Sequence, residues 1–119
     1  MQIERLSAKS LEKIFKNNIR EQARCVIKFY SNNCRFCESL KEPYHDISEE
    51  FEDVWFFVYN IDDDEDIQHI AQLNGVPTIA LVETGTRHRV AFLEDPHPPH
   101  EETWYYPSDI RKFIQKEKR

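Results

Sequence analysis

Two thiols stand two residues apart in the stretch Cys34-Arg35-Phe36-Cys37. That spacing suits two chemistries: making and breaking an intramolecular disulfide, or supplying half of a tetrahedral zinc site. The residues before the pair are apolar and strand-like, and those after it carry a helical period, so the thiols fall at the head of a helix. Backbone N–H groups and the helix dipole favour an anion there, which makes a thiol more acidic and a better nucleophile. A closed zinc site needs four ligands, and no second cysteine pair exists; His97 and His100, in a Pro-rich loop far along the chain, are the candidates to complete a set. With Glu101 and Glu102 the same histidines could form a surface metal site of their own, or simply a solvated loop. Cys25 sits inside an apolar run, where a free cysteine behaves as a small apolar side chain.

The elements that must hold this pair follow from hydrophobic periodicity. Gln2 to Leu6 reads as a short strand, and Ser7 as the N-cap of a helix with Leu11, Ile14 and Phe15 on one face, fading near Asn17-Asn18. Cys25 to Tyr30 is β-branched and aromatic, as expected of a strand covered on both faces, with Lys28 its one exception. After the thiols, Leu40, Tyr44, Ile47 and Phe51 mark one helix face, and Pro43 predicts a kink near that helix's start. Val54 to Ile61 reads as a second buried strand. Asp62 to Asp66 then leads into a helix with Ile67, Ile70, Ala71 and Leu73, closed by Asn74-Gly75. The acidic run lacks the glycine and terminal glutamate of a calcium loop. Thr78 to Glu83 and Arg89 to Leu93 form a hairpin about Thr84-Gly85. Residues 94 to 104 make a long loop rich in Pro, His and acids, and a last helix spans Ser108 to about Lys116. The order β-α-β-α-β-α-β-β-α implies an α/β domain spanning residues 1–119, with a central mixed sheet and helices on both faces.

Composition bounds what such a domain does. The chain has 119 residues, 39% of them apolar and 13% aromatic, enough for a core without staples. Its net charge of −6 argues against a phosphate-binding surface and gives no support to a nucleic-acid role. The polar N-terminus lacks a secretory signal pattern, and no run approaches the roughly 18 apolar residues of a membrane span. The expectation is a monomer without membrane attachment in a reducing compartment, the cytoplasm, where a close cysteine pair is catalytic or metal-binding.

With these elements in order, the chain resembles the thioredoxin superfamily over nearly its whole length. The resemblance rests on Cys34/Cys37 at a strand-to-helix junction, on Gly75-Val76-Pro77-Thr78 downstream, and on Tyr59-Asn60-Ile61-Asp62 ending the middle strand. It implies a thioredoxin-like fold and a thiol–disulfide oxidoreductase with no bound cofactor, acting on protein disulfides and re-reduced by a thiol reductant or a reductase. Cys34 would attack a substrate disulfide to form a mixed disulfide, and Cys37 would resolve it. Pro77 would be the superfamily's cis-proline, leaving the Val76 backbone free to pair with an extended substrate and keeping metal away from the thiols. Val76, Pro77, Phe36 and Leu93 make up the implied substrate-binding set. The other reading is a non-catalytic interaction module on the same fold, in which the loop from Glu94 to Thr103 does the binding.

Departures from the family pattern make the sequence specific. Thioredoxins carry Trp before the first cysteine and Gly-Pro between the two; here stand Asn33, Arg35 and Phe36. Phe36 leans toward glutaredoxins, but a glutathione-binding stretch is missing. Arg35 puts a positive charge beside the attacking sulfur, which should stabilise the thiolate and make the reduction potential less negative than the roughly −270 mV of thioredoxin, unless the side chain points into solvent and shifts little. Lys28 replaces the buried acid that thioredoxins use to move a proton for the resolving thiol, and that acid's usual lysine partner aligns with Val58. A buried lysine there would act as a neutral base for Cys37 or as a cation for its thiolate, unless its stem snorkels to the surface. Leu93 stands where the family has a glycine that lets partners approach.

Overall fold

Ser7 accepts the Ser10 N–H on its hydroxyl at 3.1 Å and thereby starts α1 (Ala8–Phe15), which turns Leu11 and Ile14 inward. The helix ends just before Asn17, whose φ of 57° reverses the chain. The computed structural model describes residues 3–64, 73 and 75–117. Its other elements are β1 (Glu4–Arg5), β2 (Ala23–Tyr30), α2 (Arg35–Glu50), β3 (Trp55–Asn60) with a short 3-10 turn at Ile61–Asp63, β4 (Thr78–Thr84), β5 (Arg89–Phe92) and α3 (Pro107–Glu117). The third helix expected from the sequence lies outside the described residues, as does Asn74. Of its apolar positions, Leu73 is described, and it packs against the core on the α1 side.

The five strands form one mixed sheet in the order β1-β3-β2-β4-β5. β1, β3 and β2 run parallel, whereas β4 is antiparallel to β2 and β5 to β4. β2 is central and pairs on both edges, so its residues alternate between two buried faces, the arrangement its unbroken apolar run called for. On one face Ile27 and Phe29 join Leu11, Ile14, Tyr59, Ala80 and Val82 under α1. On the other Val26 meets Leu40, Tyr44 and Ile47 of α2 and Ile110, Phe113 and Ile114 of α3. Helices thus cover both faces, giving the thioredoxin-like α/β architecture.

Three local expectations need correction. Pro43 lies in the interior of α2, not near its start, and the helix runs on past it to Glu50. Burial of Leu40, Tyr44 and Ile47 on either side of Pro43 outweighs the hydrogen bond that the ring removes. β3 is not buried throughout: Trp55 at its first position is 54% exposed, while Phe56 and Tyr59 are in the core. The segment after β5 is not an irregular loop along its whole length. His100 and Trp104 pair by N–H···O bonds of 2.9 and 3.1 Å, and the Tyr106 hydroxyl donates to Pro98 O at 3.2 Å.

Candidate active site

Cys34 is the N-cap of α2. Its extended backbone (φ −108°, ψ 104°) aims the sulfur back at the first helical turn, where Sγ accepts the Cys37 N–H at 3.0 Å. This is the place where orphan helix donors stabilise negative charge. Cys37, one turn on, is 4% exposed, whereas Cys34 is half-buried. The two are joined as a disulfide with Cα atoms 5.2 Å apart.

The approach to the helix is tied down by Asn60 and Asp62, singled out in sequence as part of the family motif, and by Asn32, which was not singled out. Asp62 accepts the Asn32 N–H at 2.9 Å. Asn60 donates from Nδ2 to Asn32 Oδ1 at 2.7 Å and accepts the Asp62 N–H at 2.9 Å. The end of β3 therefore holds the segment that delivers Cys34. The available signal was Asn60, a polar residue closing an otherwise apolar strand and buried to 4% exposure; such a side chain must find partners.

Lys28 does not snorkel. It is 2% exposed, and its Nζ stands over the Tyr44 ring, 5.2 Å from the centroid. In the sheet it faces Val58 on β3 and Ile79 on β4, so neither neighbouring strand offers a carboxylate in register. Among the described residues none forms an ion pair with it. Lys28 lines a cavity of about 280 Å³ together with Cys34, Cys37, Asn32, Glu38 and Lys41. Burial, aided by the positive charge of Lys41 and opposed by Glu38, lowers its pKa from 10.5 to about 8.

That shift fixes a sign for stability. Between pH 8 and 10.5 the unfolded chain keeps the Lys28 proton that the folded chain has released, so folding becomes more favourable as pH rises through this window. Above pH 9 Cys25 works in the opposite sense, because burial raises its thiol from 9.0 to about 11. Stability is expected to rise from pH 7.5 to 9 in the oxidised protein and to be flat over that range in Lys28→Met. The variant should gain on the order of 3 kcal/mol at pH 7. Urea denaturation at each pH measures this, and equal slopes for the two proteins would refute it. Cys25 gives a second expectation. It is free, buried and only weakly acidic, so iodoacetamide at pH 8 should label no cysteine of the native oxidised chain and one after denaturation. Mass spectrometry reads the count, and rapid native labelling would contradict the assignment.

Phe36 meets Trp104 edge-to-face, with centroids 5.5 Å apart, and the exposed Arg35 lays its guanidinium over the Phe36 ring, 5.0 Å from its centroid. The segment after β5 thus reaches back to the turn that carries the thiols. Trp104 has a φ of 65° and donates its indole N–H to Asp95 at 3.1 Å. The Val76–Pro77 peptide is cis, and Thr78 Oγ1 donates to Gly75 O at 2.6 Å. Leu93, directly after β5, donates its N–H to Ile79 O at 2.9 Å and packs on the α2 side of the core. It borders a groove with Phe92, Glu94, Asp95 and Tyr105, not the cavity that holds the cysteines. His100 is occupied within its own turn, accepting the N–H groups of Glu102 and Thr103 on Nδ1 at 3.1 and 3.3 Å. His97 is exposed, and among the described residues no group of three or more His, Cys, Asp or Glu side chains is placed to hold a metal ion.

A mixed sheet whose central strand delivers a dithiol to a helix N-terminus, with a cis-proline peptide before the next strand, defines the thioredoxin-fold class of thiol proteins. The chain belongs to the thioredoxin family, whose model matches residues 6–97. No curated protein sequence matches it. Among solved structures it is similar to thioredoxin from Trypanosoma brucei brucei, with a TM-score of 0.72, 18% identity, and coverage of 97% of this chain and 89% of that one. Mitochondrial thioredoxin 3 of Saccharomyces cerevisiae, in an oxidised form, superposes with a TM-score of 0.71 at 21% identity, covering 96% and 94%. The J-Trx1 fragment of ERdj5 gives 0.71 at 15% identity; there 96% of this chain spans about half, 49%, of that chain. These likenesses establish the fold. Together with the Cys34–Cys37 pair, family membership supports thiol–disulfide oxidoreductase chemistry in general.

Proposed function

We propose that this chain reduces or exchanges protein disulfides as a monomer in a reducing compartment, the cytoplasm, with no bound cofactor. The observation that carries the reading is the asymmetry of the pair: Cys34 is half-buried at the N-cap with its sulfur on the Cys37 N–H, and Cys37 is buried behind it. Cys34 as thiolate attacks one sulfur of a substrate disulfide; the other substrate sulfur leaves as a thiolate and takes a proton. Cys37, deprotonated, then attacks Cys34 Sγ, closing the internal disulfide and releasing the second substrate thiol. Two electrons from a thiol reductant or a reductase restore the dithiol. The Val76 backbone beside Pro77 is the proposed place for an extended substrate segment, with Phe36 contributing beside the thiols and Leu93 through the separate groove it borders.

Lys28 is the proton-handling group at this site. When neutral it takes the Cys37 proton for the resolving step, and when protonated it holds a thiolate in the shared cavity. Together with Arg35 it favours the reduced form, so the reduction potential is expected to lie above thioredoxin's roughly −270 mV. The deciding experiment is reduction of a protein disulfide with dithiothreitol as donor, with a Cys37→Ser trap for mixed disulfides. Turnover and a trapped adduct on Cys34 support the reading. If neither appears, the interaction-module reading takes over, with the loop from Glu94 to Thr103 doing the binding.

A further inference from the structure

A buried ammonium without a carboxylate is costly, and proteins ordinarily pair such a charge or neutralise it. Lys28 is 2% exposed, forms no ion pair among the described residues, and lines a cavity of about 280 Å³, several times the roughly 30 Å³ that one water occupies. The other charges on this cavity do not cancel it. Lys41 and Glu38 face each other at 3.4 Å on α2 and offset one another, leaving the Lys28 charge in surplus. The remaining titratable walls are Tyr30 of β2 and the two cysteines at the head of α2, which carry no charge as a disulfide; β3 adds Val58, and the Tyr44 ring of α2 lies beneath the ammonium.

We infer that in the oxidised protein this cavity binds a small monocarboxylate, of the size of formate, as the counter-ion of the Lys28 ammonium. Reduction changes what the cavity holds. Two electrons open the S–S bond, and ionisation at either sulfur then places a thiolate on the same walls as Lys28. The thiolate and the carboxylate compete for one cation, so the carboxylate prefers the disulfide form. A ligand that binds only one redox state shifts the couple by mass action toward that state. The inference rests on the oxidoreductase reading only for its redox consequence; occupancy of the oxidised cavity does not require turnover.

Two measurements test it, with formate as the probe. The first is a ¹³C NMR pH titration of the lysine Cε signals in the oxidised protein, with Lys28 assigned by the signal lost in Lys28→Met. Formate at ten times its dissociation constant is expected to raise the Lys28 pKa by about one unit, a tenfold preference for the ammonium. Lys9 and Lys13, exposed on α1, serve as internal controls for salt screening. The second is the midpoint potential of the Cys34–Cys37 couple. At the same formate concentration the equilibrium should move about tenfold toward the disulfide, which is about 30 mV more negative, and should not move in Lys28→Met. The inference is overturned if Lys28 and the control lysines shift alike, or if wild type and Lys28→Met respond equally to formate. Should the variant not fold, Lys28 is assigned instead by through-bond correlation of its side chain to its backbone, and the wild-type titration then decides by itself, whether or not the protein reduces disulfides.

Discussion

Cys34→Ser is expected to bring disulfide reduction down to the uncatalysed rate, a loss on the order of a thousandfold or more, the scale on which removal of an enzymic nucleophile acts. A hydroxyl at this position keeps the N-cap hydrogen bond to the Cys37 N–H but does not ionise near neutral pH, so the geometry survives and the thiolate does not. Cys37→Ser should behave differently. It retains the attacking thiol and loses the resolving one, so a single round of attack leaves substrate attached to Cys34 and turnover stops. The contrast between silence in one variant and a stable adduct in the other assigns the two roles. Neither change should unfold the chain, since the disulfide closes a loop with a sequence separation of only 3 and contributes about 2 kcal/mol. Circular dichroism checks the fold, and dithiothreitol-driven reduction checks activity. A stable adduct in both variants, or in neither, would remove the division of labour.

The largest effect on stability is expected at Tyr44. Its side chain is 1% exposed between α2 and the sheet and meets Phe56 edge-to-face at 5.6 Å. Its hydroxyl proton is shared between Phe57 O at 2.7 Å and Val26 O at 3.1 Å, which ties the helix to β3 and β2 at once. Tyr44→Ala removes the ring and its contacts and strands the Lys28 ammonium above a hole, at a cost of about 4 kcal/mol, or roughly 15 °C in melting temperature. Tyr44→Phe keeps the ring under Lys28 and loses only the shared hydrogen bond, about 1 kcal/mol. Thermal and urea denaturation separate the two. A phenylalanine variant as unstable as the alanine one would mean that the hydroxyl, not the ring, holds α2 in place.

Much of this architecture could be read from local pattern. The central strand announced itself by an apolar run with one lysine in it, α1 by Ser7 and its Leu11/Ile14 face, and the position of the thiols by the change from strand to helix period at Cys34. The family resemblance, not strand physics, aligned Val58 with the usual lysine partner of the position Lys28 fills, and the sheet pairs the two in register. What stayed hidden depends on chain closure. Nothing near Phe36 in sequence signals Trp104, and Asn32 meets Asp62 only once β2 and β3 lie side by side. A lysine's fate is equally a tertiary matter, since the same residue snorkels from an edge strand and is trapped in a central one. The exposure of Trp55 belongs here too, because its place at the beginning of β3 near the rim of the sheet is not encoded in its apolarity.

The placement of the two tryptophans makes the molecule its own optical gauge. Trp55 is exposed at one end of β3, whereas Trp104 is half-buried against Phe36, the residue next to Cys37. Their emission bands are expected to differ through solvent polarity, and of the two only Trp104 touches the residue beside Cys37. Light emitted at the blue side of the spectrum is then expected to follow the state of the sulfurs, with the red side as an internal standard and no dye attached.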